Sequence, residues 1–87
     1  MDTKRCLIDE RNKEDRRGII KFLDDMGYRR EANESRSRKE IIESFLPIYV
    51  DKTGKKYWMM GNVTCAAAAA SSKKMIKKES FYEWISM

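Results

Sequence analysis

The sequence predicts a small α+β fold in a single domain: two helices, a β-hairpin, then two further helices. Three observations carry this prediction. Two windows of helical apolar spacing open on capping residues. A β-rich run is broken by Asp51-Lys52-Thr53-Gly54-Lys55. The closing third combines an alanine run with aromatic residues at helical spacing. At 87 residues the chain suits one domain, spanning 1–87, with a core just large enough to offset the entropy of ordering it.

Residues 1–11 hold only Cys6, Leu7 and Ile8 between charged neighbours and are expected to be disordered or loosely packed. The first helix follows. Asn12 offers an N-cap, Glu14 and Asp15 favour the positive end, Ile19, Ile20, Phe22, Leu23 and Met26 form an apolar stripe, and Gly27 supplies the stop. Arg16, Arg17, Lys21, Asp24 and Asp25 are expected on the water-facing side.

From Tyr28 to Arg36 the chain turns polar, which reads as a surface loop. An edge strand over 28–32 stays open as the alternative, because Tyr28, Arg30 and Ala32 would share a face. Ser37-Arg38-Lys39-Glu40 then matches a capping box, in which the serine hydroxyl and the glutamate carboxylate satisfy reciprocal backbone donors. The helix it starts buries Ile41, Ile42, Phe45 and Leu46, and Pro47 ends it.

The hairpin is read as Ile48-Tyr49-Val50 against Lys56-Tyr57-Trp58-Met59-Met60, with Gly54 in the left-handed region of the turn. That register pairs Val50 with Lys56, Tyr49 with Tyr57 and Ile48 with Trp58. Large apolar groups then occupy both faces, which requires either helices on both sides or an interaction surface on one. Gly61-Asn62-Val63-Thr64-Cys65 leads into Ala66 to Ala70, a helix with small side chains suited to close packing. A last helix is placed from about Lys77, burying Phe81, Trp84 and Ile85 and leaving Tyr82 outside.

Histidine is absent, which removes the usual nucleophilic triads and leaves two cysteines and carboxylates as the means of holding zinc. Cys65 reads as a buried, inert thiol. The glycines at 18, 27, 54 and 61 form no phosphate-binding loop. No enzymatic activity, cofactor, catalytic residue, metal site or small-molecule substrate is therefore expected. No leader or membrane span is read either, since Met1 to Arg5 is followed by only three apolar residues, and a cytoplasmic location is expected. In general character the chain is similar to small accessory proteins of bacteria and phages, with no motif that names a family.

Two binding surfaces are expected. The first is a protein-partner or self-association surface on the hairpin and C-terminal helix, carried by Tyr49, Tyr57, Trp58 and Tyr82. The second is a nucleic-acid surface. Residues 1–46 hold twelve cations against eleven anions, and residues 47–87 hold seven against three. Those seven are Lys52, Lys55, Lys56, Lys73, Lys74, Lys77 and Lys78, which could follow phosphates while an aromatic ring stacks on unpaired bases. Arg29, Arg30, Arg36 and Arg38 form another basic group, interleaved with Glu31, Glu34 and Glu40 and so read mainly as local ion pairs.

Overall fold

The computed structural model describes residues 4–59, 61 and 75–87. In chain order the elements are β1 (Arg5–Ile8), α1 (Lys13–Asp25), β2 (Arg29–Arg30), α2 (Arg38–Glu43), β3 (Ile48–Asp51), β4 (Lys56–Met59), β5 (Met75–Ile76) and α3 (Lys78–Ser86). The alanine helix expected after Gly61, with Cys65, Lys73 and Lys74, lies outside the described residues.

The five strands form one mixed sheet in the order β2-β4-β3-β1-β5. β3 pairs antiparallel with both β1 and β4, whereas β2 runs parallel to β4 and β5 parallel to β1. The α+β class is therefore as expected, but the order of elements differs. Strands 5–8 and 75–76 are additional, and the short edge strand at 29–30 is present.

Within the N-terminal segment, residues 5–8 form an interior strand of the sheet. Its three consecutive apolar residues are the mark of a strand buried on both faces, and Leu7 and Ile8 are both fully enclosed. Cys6 is buried as well.

Local capping sets the helices. The Asn12 side chain accepts from the Asp15 amide at 3.1 Å, and Gly27 ends α1 at φ +86°, a conformation that a β-carbon disfavours. Ser37 and Glu40 complete the capping box, each accepting from the other's amide at 3.1 Å. α2 stops at Glu43, earlier than Pro47 alone requires.

All three described helices pack on one face of the sheet. Ile19, Ile20 and Leu23 of α1, Ile41 and Ile42 of α2, and Phe81, Trp84 and Ile85 of α3 meet Cys6, Ile8, Ile48, Val50, Tyr57, Met59 and Ile76 in a single core. One residue of α1 and its C-cap depart from the expected stripe. Met26 is exposed, and Arg16 is completely buried instead of facing water. The Arg16 guanidinium reaches the Ile41 carbonyl near the end of α2, which the Ser44 amide also bonds at 3.4 Å.

The hairpin register is one residue away from the expected one. Asp51 pairs with Lys56, Val50 with Tyr57, Tyr49 with Trp58 and Ile48 with Met59. The cause is Asp51, whose carboxylate accepts from the amides of Thr53 and Gly54 at 3.0 and 3.2 Å and so starts the turn within the strand. Lys55, not Gly54, takes the positive φ, at 50°. Because side chains alternate along a strand, the shift turns β4 over relative to β3. Tyr57 and Met59 enter the helix-covered core, and Trp58 joins Tyr49 and Leu7 on the opposite face.

Candidate functional site

The turn end of the hairpin gathers charge from three separate segments. Pairing places Arg5, Asp51, Lys56 and Arg29 in one row across β1, β3, β4 and β2. The Lys52 amide donates to the Lys4 carbonyl at 2.7 Å, and the Arg29 amide to the Lys55 carbonyl at 3.0 Å, which holds the flanking residues in the same neighbourhood. Segments 4–5, 29–31 and 51–56 thus hold seven cations, Lys4, Arg5, Arg29, Arg30, Lys52, Lys55 and Lys56, against Asp51 and Glu31.

This end of the sheet thus carries a formal +5, while the other described residues hold ten cations against eleven acids. Such a concentration produces a local positive potential that ion pairs spread elsewhere do not.

Within it the cations differ. Lys56 bonds Glu31 at 2.9 Å, which raises its pKa while the nearby Arg5 charge opposes the rise. Lys52 reaches over to α3, donating to the carbonyls of Trp84 and Met87 at 2.8 and 3.0 Å with its ammonium 4.9 Å from the Trp84 ring centre. It therefore caps the negative end of that helix. Arg5, Arg29 and Lys55 are exposed.

Beside the basic row, Tyr49 and Trp58 are stacked, with centroids 4.3 Å apart and planes 20° apart. Lys56 lies 5.9 Å from the Trp58 ring centre. Trp58 is half-buried, but Tyr49 is only 5 % exposed and offers little ring to a partner.

The other expected site residues scatter. Tyr57 is 1 % exposed, and its hydroxyl donates to Asp24 at 2.9 Å, so its place is structural. Burial, followed by the Asp24 charge, pushes its pKa up. Tyr82 is exposed on α3 and meets Phe22 edge-on at 5.3 Å, away from the hairpin pair on the helix layer. Lys77 and Lys78 pair with Asp9 and Asp15 at 3.3 and 2.7 Å, joining the C-terminal segment to the α1 end of the molecule. They do not form one group with the hairpin lysines. In the arginine group, Arg36 bonds the neighbouring Glu34 as the local mixed charge suggests, Arg38 instead bonds Asp24 of α1, and Arg29 belongs to the basic end.

Lys4 and Arg5 enter the basic end through the pairing of β1 with β3. Their signal was a dibasic pair directly before an apolar run, which places cations at a strand entrance. Among the described residues no group of three or more His, Cys, Asp or Glu side chains is arranged to hold a metal ion, and no helix is long and apolar enough to cross a membrane. Comparisons with protein-family models, curated proteins and solved structures return no match.

Proposed function

We propose that this chain is a non-enzymatic binding module whose hairpin end docks on a polyanion, single-stranded nucleic acid being the form it suits best. The concentration of seven cations against two acids at that end, with the other described residues near balance, carries the reading. Exposed Arg5, Arg29 and Lys55 are suited to phosphates, and half-buried Trp58 lies next to them as a stacking platform. A cytoplasmic role belongs to the same proposal.

Binding of single-stranded DNA and RNA at two salt concentrations tests it. Affinity should fall steeply as salt rises, by a log–log slope of about 0.7 per phosphate contact. Replacing Arg5, Arg29 and Lys55 together by glutamine should weaken binding and flatten the slope by about 2. Absence of binding at low salt removes the proposal.

A second reading is a protein partner, or a second copy, on the helix layer around α3. It rests on exposed Tyr82, supported by Phe22 of α1 with Met26 exposed at that helix's C-cap, because aromatic anchors suit protein interfaces. Retention of a partner or dimer by the glutamine variant and its loss on Tyr82→Ala would favour it.

A further inference from the structure

β4 has two sides. One pairs along its length with β3, but the other meets β2 over only two residues, leaving Met59 beyond the end of the ladder. The parallel rungs that exist run from the Arg29 amide to the Lys55 carbonyl and from the Glu31 amide to the Tyr57 carbonyl, at 3.0 and 2.8 Å. Continuing that pattern would take the Met59 amide to the Glu31 carbonyl and bring a further amide to the Met59 carbonyl. The chain does neither, because it turns away at Glu31, whose carbonyl accepts from the Glu34 amide at 2.9 Å instead.

Side chains fill both missing rungs. The Glu34 carboxylate accepts from the Met59 amide at 2.8 Å, and the Arg36 guanidinium donates to the Met59 carbonyl at 2.5 Å. The two are bonded to each other through Arg36 Nε and Nη2, at 2.7 and 3.0 Å, and the Arg36 amide donates to the same carboxylate at 3.0 Å. The Glu34 side chain is only 2 % exposed. A carboxylate stands where a backbone carbonyl would accept and a guanidinium where an amide would donate.

We infer that the Glu34–Arg36 pair is an edge stop, occupying the position on β4 where the β4 edge of a second copy of this chain would otherwise add as a strand. Unpaired strand edges are self-complementary templates for such addition, and proteins block them with charge or with covering structure. The outer edge of the sheet supports the same logic, since β2 is two residues long and consists of exposed Arg29 and Arg30. The inference is independent of what the basic end binds.

The test is a Glu34→Ala, Arg36→Ala double variant, with circular dichroism to verify folding, sedimentation across concentration and hydrogen exchange at the Met59 amide. Met59 should exchange at least tenfold faster than in wild type at low concentration. Protection should return, and average mass rise above that of wild type, as concentration increases. A folded variant that keeps Met59 protected, or whose mass follows wild type at every concentration, overturns the inference. Should the double variant not fold, Glu34→Gln decides by the same readings. It keeps an acceptor for Met59 while weakening the hold on Arg36, so a concentration-dependent mass increase supports the stop, and wild-type mass and exchange overturn it.

Discussion

Two nitrogens of one guanidinium, Nε and Nη2 of Arg16, converge on the carbonyl oxygen of Ile41 at 2.9 and 2.5 Å. Nη1 donates to the carbonyls of Glu10 and Leu46 at 2.7 and 2.8 Å. Desolvation lowers the Arg16 pKa to about 10, with the charge of Glu10 opposing, so the side chain stays cationic at neutral pH. It lies at the C-terminal end of α2, where the Ile41 carbonyl it binds also accepts from the Ser44 amide at 3.4 Å and the helix dipole is negative. One arginine thereby fastens α1, the chain after β1 and the end of α2.

Arg16→Met should remove those bonds, leave the Glu10 and Leu46 carbonyls without their guanidinium donor and cost at least about 2 kcal/mol. Arg16→Lys should fall between, because one ammonium cannot reproduce the planar fork. Urea denaturation of the three proteins measures the order. A variant as stable as wild type would show that Arg16 is replaceable packing.

Tyr57→Phe removes a bond to a carboxylate from the edge of the core and should cost about 1.5–3 kcal/mol. Tyr57→Ala should cost about 3–5 kcal/mol through the cavity it leaves. Trp58→Ala, on the other face, should cost less and act mainly on binding. Thermal melts beside binding titrations separate the two residues. Equal loss of stability at both positions would contradict the observed register.

Lys52→Met should destabilise α3, by about 1 kcal/mol, because it removes a cation from the helix C-terminus. Lys55→Met should leave stability unchanged. Denaturation midpoints distinguish a lysine used inside the protein from one presented to a partner.

Acid should weaken the fold in a defined window. Burial opposes ionisation of Glu34, but hydrogen bonds from the Arg36 side chain and from the amides of Met59 and Arg36 outweigh it and hold the carboxyl at about 2, against an ordinary 4.5. A carboxyl with a depressed folded pKa stabilises fully above its unfolded value, and that contribution is lost as pH falls from about 4.5 through 2. The contribution is about 3 kcal/mol. Stability measured across this range should decline, and Glu34→Gln should be less stable at neutrality with a flatter decline. Parallel curves would contradict the assignment.

What the sequence made legible was local. The Asn12 cap, the Ser37–Glu40 box and the Gly27 stop each act within a few residues, so α1 and α2 were readable in place. Cys6-Leu7-Ile8 was too short a run to announce an interior strand, because its identity comes from Tyr49 and Met75 on either side of Leu7. Helical spacing put Arg16 toward water because its partners lie 25 and 30 positions away. The hairpin was visible but its register was not, since Asp51 is both the last residue of β3 and the acceptor that shapes the turn. The basic end was half visible. Lysines at the turn stood out, whereas Arg5 and Arg29 joined them only through strand order.

Backbone NMR of the isotope-labelled protein, titrated with short oligothymidine at low salt, tests the basic end most directly. Chemical-shift changes should concentrate in residues 4–5, 29–31 and 51–58, include the Trp58 indole, and fade as salt is added. No changes at low salt, or changes centred on Phe22 and Tyr82, would contradict docking through the hairpin end.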